Sequence, residues 1–273
     1  MAANDRLDAA VVTKGFATGR DKAKELIRDG AVTVNGRVIT KPSFAVGETD
    51  EIVCTAEAPR YVGRGGEKLE HALRALLPLP QPCVAMDIGA STGGFTHCLL
   101  QNGVDTVYAV DVGHGQLHPT LQADARVINL EGTDIRNREK LVGIVRPQSL
   151  DLLTMDVSFI SVTAVLAAAL PFLKDGARLL ILVKPQFEVG RADVGKNGIV
   201  RDRRAHVRVL QMLCAYFEEQ GCAVTALSAS PIKGGVGRAE GNIEYVVTLV
   251  YGGERVTLPD VRQLVDDTFE HFR

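Results

Sequence analysis

Met86-Asp87-Ile88-Gly89-Ala90-Ser91-Thr92-Gly93-Gly94-Phe95 is the stretch that decides the fold. The apolar run Val84–Ile88 leads into it, and Thr92–Gln101 reads as a helix after it. A glycine-rich turn that leaves a strand and opens a helix is where a Rossmann-like sheet holds its cofactor. The glycines are spaced G-x-x-x-G-G, not G-x-G-x-x-G, and Asp87 stands at the strand end. A carboxylate there repels a pyrophosphate and attracts a cation.

Further apolar runs follow at Val107–Val110, Arg126–Leu130, Leu150–Met155, Leu179–Val183 and Ala223–Ser228, with a final strand at Ile243–Tyr251. Helical stretches at Ile160–Leu173 and Arg203–Gln220 separate some of them, and the tail from Pro259 reads as a helix. Strand–helix alternation predicts a doubly wound α/β sheet. Upstream, Glu67–Leu77 has helical spacing and is stopped by Pro78, Pro80 and Pro82.

The composition changes near Ala58-Pro59, which divides the chain into a first domain at 1–57, a linker at 58–66 and a second domain at 67–273. The first domain reads as α+β. Leu7, Ala10 and Val11 lie on a first helix, and Thr18 or Asp21 caps a second over Lys22–Asp29, ended by Gly30. Val32–Ile39 forms a hairpin around Asn35-Gly36, and Glu51–Cys54 a further strand.

Over 273 residues the formal net charge is −2, so any nucleic-acid site is a local patch and not the whole surface. Five scattered cysteines without a C-x-x-C pair argue against a zinc site or a disulfide framework and for a reducing compartment. No signal-like or membrane-length apolar run is present, the longest candidate being Val157–Leu173. The expectation is a cytoplasmic protein with no membrane partner.

The acid at Asp87 suits the ammonium and sulfonium of S-adenosylmethionine, cradled by Gly89, Gly93 and Gly94. Asp111 ends the next strand, where an acid accepts from ribose hydroxyls. Asp134, after the third, either accepts from the adenine amino group or is a surface acid.

Two more charges end apolar strands, Asp156 and Lys184. A lysine after four apolar residues is partly desolvated. Burial favours its neutral amine and a nearby carboxylate its ammonium, the balance that lets an amine take a proton from a hydroxyl. The plain alternative is an ion pair at a sheet edge. Adenine amino-group methylation often uses an Asp/Asn-Pro-Pro-aromatic turn, and Asp156-Val157-Ser158-Phe159 stands in its place. Pyrimidine carbon-5 methylation needs a crevice cysteine, and Pro82-Cys83 precedes the sheet.

Arg64-Gly65-Gly66-Glu67-Lys68-Leu69, Asp87–Phe95, Asp111–Leu117, Asp156-Val157-Ser158-Phe159-Ile160, Lys184-Pro185-Gln186-Phe187-Glu188 and Ser230–Gly234 together resemble the TlyA family of ribosomal RNA 2′-O-methyltransferases, related to FtsJ-type enzymes. The resemblance covers essentially the whole chain. It implies a seven-stranded methyltransferase sheet preceded by an S4-type RNA-binding module. It implies S-adenosylmethionine as cofactor, ribosomal RNA or ribosomal subunits as partner, and the ribose of a cytidine as target. It places a Lys-Asp-Lys-Glu tetrad on Lys68, Asp156, Lys184 and an acid of the last strand, Glu244, with Glu240, in the loop before that strand, as the fallback. The Gly234–Glu240 segment is longer and richer in glycine than the resemblance leads one to expect. Some members of the family carry an older haemolysin label.

Arg6, Arg20, Lys22, Lys24 and Arg28 are the candidate phosphate contacts under that resemblance, although Asp21, Glu25 and Asp29 among them equally describe a solvated face. His114 and His118 lack a third ligand, so no metal is expected. Phe159 and Phe187 stack on a base or cofactor, or pack in the core. The segment Gly190–Arg201 is a substrate loop or a connector. Against the leading reading stand a small-molecule methyltransferase, which the basic module disfavours; an RNA-binding protein with an inactive methyltransferase domain, which the intact charged set disfavours; and a cytolysin, which needs a membrane-inserting segment.

Overall fold

A computed structural model describes residues 5–17, 19–55, 60–234 and 241–273. The chain divides into two units, Met1–Gly63 and Arg64–Arg273. In the first, β1 (Asp5–Arg6) pairs antiparallel with β4 (Ala45–Val46), and β2 (Val32–Val34) lies between β3 (Arg37–Val38) and β5 (Ile52–Cys54). Helices α1 (Leu7–Thr13) and α2 (Arg20–Arg28) pack on each other. Leu7, Val11, Ala23, Ile27, Val32 and Ile52 close the small core.

Asn35 and Gly36 both have positive φ, as a tight hairpin turn requires, and the Asn35 side chain bonds Asp50 and the Glu51 amide. Helix α2 starts earlier than its sequence pattern suggests, after Gly19 and without a side-chain cap. Of the two expected caps, Asp21 lies inside the first turn, bonded to Lys24, and Thr18 lies outside the described residues.

The second unit runs α3 (Gly65–Leu73), β6 (Val84–Ile88), α4 (Gly94–Gln101), β7 (Thr106–Asp111), α5 (Pro119–Gln122), β8 (Val127–Glu131), α6 (Arg138–Val142), β9 (Leu150–Met155), α7 (Val162–Ala169), β10 (Leu173–Val183), α8 (Pro185–Glu188), α9 (Arg203–Glu219), β11 (Cys222–Ala229), β12 (Tyr245–Tyr251) and α10 (Val261–His271). Its seven-stranded sheet has the order β11-β12-β10-β9-β6-β7-β8. Strands β10, β9, β6, β7 and β8 are parallel neighbours, and β12 is antiparallel to both β10 and β11. Valine, leucine and isoleucine fill the strands because both faces are covered. Helices α7, α9 and α10 begin where a side chain, that of Ser161, Asp202 and Asp260 respectively, accepts from an orphan amide.

Chain order reverses at β6, which continues to β7 on one side and neighbours β9 on the other. The strand ends at such a point frame a crevice for ligands. The reversed strand β12 brings its start to the same edge. Because Val183 pairs with Tyr245, the next register positions there are Lys184 and Glu244.

Candidate active site

The turn after β6 is built on two glycines in the left-handed region. Gly89 has φ +82°, and a Cβ on it would lie 2.4 Å from the Asp156 carbonyl oxygen. Gly93 has φ +91°, and its Cβ would meet Leu121 Cδ1 at 2.2 Å. The first glycine lets the β6 and β9 ends touch; the second seats α4. Gly94 opens α4, and with Gly89 it lines a cavity of about 230 Å³. Arg64, Lys68, Ser91, Phe95 and Asp156 also line it.

Asp87 lies beneath this turn. It is fully buried and accepts from the Thr96 amide (3.0 Å) and hydroxyl (2.7 Å) and the Thr154 hydroxyl (3.0 Å). Burial raises its carboxyl to about 7 against the pull of those donors. Asp87 therefore ties α4 and β9 to the end of β6, and its contacts are with protein donors.

Asp111 is differently placed. Its two oxygens accept from the amides of Ser91 (2.8 Å) and Gly113 (2.7 Å), on either side of the crevice mouth. Gln116 spans the same mouth, its Oε1 3.1 Å from Ser91 Oγ, and Glu131 fixes that loop by accepting from the Gln116 and Leu117 amides. Asp134 binds the Arg136 backbone and guanidinium at 2.6–3.1 Å, and the guanidinium holds its carboxyl below the usual range.

The other half of the edge carries charge pairs. Lys184 Nζ lies 2.6 Å from Asp156 Oδ1 and donates to Ser158 Oγ at 2.8 Å. Lys68 Nζ donates to Glu244 Oε2 at 2.5 Å, with both side chains almost wholly buried. Burial pushes the Glu244 carboxyl up, while Lys68 and then Lys184 pull it down. A Cβ on Gly234 would fall 1.9 Å from Glu244 Oε1, so the carboxylate occupies the space this glycine leaves open. Glu240 lies outside the described residues. Lys68 comes from α3, whose first glycine, Gly65, allows Phe95 within 3.1 Å of a Cβ position. Lys68, Asp156, Lys184 and Glu244 thus meet as two ion pairs at one edge of the sheet.

Residues 61–251 match the FtsJ-like methyltransferase family, and residues 5–52 match the S4 domain. The chain is 39% identical to the 16S/23S rRNA (cytidine-2′-O)-methyltransferase TlyA of Mycobacterium tuberculosis, over 91% of each chain. It is 37% identical to Hemolysin A of Brachyspira hyodysenteriae, over 90% of this chain and 99% of that one. The chain belongs to the TlyA branch of the FtsJ-like methyltransferases. A solved structure of a hemolysin-labelled protein from Streptococcus thermophilus superposes on it with a TM-score of 0.74 and 36% identity, covering 100% of this chain and 98% of that one.

Several residues of this FtsJ-like site escape a reading of the sequence. Thr96 and Thr154 look like ordinary helix and strand residues until Asp87 turns out to be buried between them. Glu188 accepts from Ser161 Oγ (2.7 Å) and the Val162 amide (2.9 Å), joining the segment after Lys184 to the one after Asp156. Between those bonds Phe159 sits at φ +65° and 91% exposed, its ring 4.9 Å from that of Phe187. Such exposure removes core packing as the reason for Phe159. The Gly190–Arg201 segment is held at Val200, whose amide donates to Asn242 Oδ1 (3.0 Å) and whose carbonyl meets buried His206 (3.1 Å).

In the S4 unit, Arg6 and Arg20 share one buried carboxylate, Asp8, at 3.0 and 3.2 Å, while both guanidiniums remain half exposed. Bonding from Arg6 holds the Asp8 carboxyl at about 2. Lys22 pairs with Glu25 and Lys24 with Asp21, and Arg28 is exposed. Among the described residues no three His, Cys, Asp or Glu side chains form a metal-binding group; His118 caps α5 and the His114 ring lies against Gly132. Burial pushes the Cys83, Cys214 and Cys222 thiols up to about 11, the reverse of what a nucleophile needs. Among the described residues no helix is long and apolar enough to cross a membrane.

Proposed function

We propose that this chain transfers a methyl group from S-adenosylmethionine to the ribose 2′-oxygen of a cytidine in ribosomal RNA. The observation that carries the reading is the pair of ion pairs, Lys184–Asp156 and Lys68–Glu244, beside the glycine-lined cavity. The cavity fits the cofactor's demands: backbone laid bare at Gly89 and Gly94, with Gly93 seating α4 behind them, and the Asp111 carboxylate at its mouth for a ribose diol. Asp87 supports this cradle from below. When bound, the cofactor supplies an electrophilic methyl group on a cationic sulfur.

The chemistry left to the protein is to hold the hydroxyl and take its proton. A 2′-hydroxyl is a weak acid, so a base must act as it attacks. Lys184, in its neutral form, takes that proton. Asp156 orients the amine and receives the ammonium that results, and Lys68–Glu244 keeps the second lysine and its charge fixed beside it. Arg6, Arg20, Lys22, Lys24 and Arg28 on residues 1–57 bind RNA phosphates, and residues 67–273 carry the chemistry. The small-subunit and large-subunit RNAs are both candidate substrates, and a ribosomal substrate implies a cytoplasmic protein.

Nucleoside mass spectrometry of ribosomal RNA treated with the protein tests the reaction, with an alkaline ladder to locate the product. A 2′-O-methyl group blocks cleavage by the neighbouring hydroxyl, so a gap at one or a few cytidines is expected. A methylated base without a gap overturns the ribose assignment. Exchanging Arg6 and Arg20 for alanine together should weaken RNA binding and flatten its salt slope by about 1–2, with cofactor affinity intact.

A further inference from the structure

Lys184 meets one hydrogen-bond acceptor, Ser158, and one ion-pair partner, Asp156. Asp156 Oδ1 lies 2.6 Å from Nζ, and Ser158 Oγ lies 2.8 Å from it. The lysine side chain is 11% exposed, whereas Ser158 is exposed, so the serine hydroxyl touches the amine from its solvent side. That is the side from which a large substrate approaches.

A neutral primary amine has two N–H bonds and one lone pair. With no hydrogen-bond acceptor, the group rotates about Cε–Nζ and the lone pair sweeps a circle. The bond to Ser158 Oγ commits one N–H and stops that rotation, and the Asp156 carboxylate beside it draws the other N–H, which leaves the lone pair one favoured direction. We propose that Ser158 is a positioning residue that aims the lone pair of Lys184 at the substrate hydroxyl, a role resting on the proposed function above.

The backbone keeps Ser158 in place. The Asp156 amide donates to the Ile88 carbonyl at 2.9 Å, which anchors one end of its segment to β6. Glu188 accepts from Ser161 and Val162, which anchors the other end to the segment that carries Lys184. Phe159, next to Ser158, holds a left-handed conformation that costs a bulky residue free energy unless the surroundings impose it. Ser158 is thus delivered to the amine by a segment fixed at both ends.

Single-turnover methylation of ribosomal RNA by the full-length protein, with Ser158→Ala and Ser158→Thr, tests this. The alanine variant should lose about 10-fold or more in rate, because small misalignments of a reacting group cost that much. Its cofactor affinity by calorimetry, its KM for RNA and its melting temperature should stay as in the wild type. Threonine keeps the hydroxyl and should restore most of the rate. Ribose methylation by Ser158→Ala at the wild-type rate overturns the serine's role alone, as does a raised KM for RNA with the rate retained. Wild-type turnover that leaves the ribose unmodified overturns the proposed function, and the role of Ser158 with it.

Discussion

Along a single edge of the sheet, two neighbouring groups of strands hold their carboxylates by different means. On the β6–β7–β8 side, Asp87, Asp111 and Glu131 accept from hydroxyls and backbone amides. On the β9–β10–β12 side, Asp156 and Glu244 face lysine ammoniums. Neutral hydroxyl and amide donors set a shape without a paired charge. Ion pairs set a charge balance that shifts when a proton moves. The first arrangement suits recognition of a fixed ligand and the second suits proton transfer. The halves meet where a Gly89 side chain would strike the Asp156 carbonyl.

If the two halves are separable in this way, Lys184→Ala should lower turnover by about 10²–10⁴-fold while cofactor affinity by calorimetry is unchanged. Lys184→Arg should fail as well, since a guanidinium stays protonated. Loss of cofactor binding in either folded variant would break the comparison. The converse is Asp111→Ala. It removes an acceptor from Ser91 and Gly113 as well as from the ligand, and should weaken cofactor binding about 10–100-fold, the worth of one or two charge-assisted hydrogen bonds. Turnover at saturating cofactor should change only a few-fold, and a large fall there would blur the two halves.

A third test is thermal. The Asp87 carboxyl rises from 3.8 to about 7 in the folded protein because it is buried. The folded state keeps that proton up to about pH 7 and the unfolded state releases it near 4, so the folded state binds more protons in between. Stability from this group is therefore present at acid pH and lost as pH rises through that window. The side-chain amide introduced by Asp87→Asn does not titrate. Melting curves of wild type and Asp87→Asn should separate by several degrees from pH 5 to pH 8, with the variant gaining; parallel curves would remove the buried carboxylate from the account. The smallest effect belongs to the link between the Asp156 and Lys184 segments. Glu188→Ala removes two bonds at the start of α7, about 1–2 kcal/mol, and should lower the melting temperature by about 2–8 °C.

The same contrast explains what the sequence made legible. The cradle is local: glycines and strand-end acids sit within a few residues of each other, and each glycine has a steric reason. The strands are apolar runs that match the paired residues closely, apart from β10, which begins at Leu173 and is interrupted by a bulge before Arg178. Helices α5, α6 and α8 are four or five residues long, too short to show a period. The place of Asp87 at a strand end suggests a residue that faces the cofactor, but strand position does not say whether hydroxyls wait beneath. Thr154 is 67 residues away from it. The Lys68–Glu244 pair is longer in range still, and only a family resemblance connects the two residues before the fold is seen.

Lys68 and Glu244 lie 176 residues apart, and the strand that begins next to Glu244 is inserted between two that precede it in the chain. This has a consequence for synthesis on the ribosome. The cradle's residues emerge by Asp134, whereas the carboxylate that pairs with Lys68 comes more than 100 residues later. A nascent chain, or one ended early by a faulty message, can carry the whole glycine turn while Lys68 still lacks its partner. Docking β12 closes the longest loop of the site, a step that contact order makes slow. The tetrad therefore assembles only after the chain has been made as far as Glu244 and the strand that follows it.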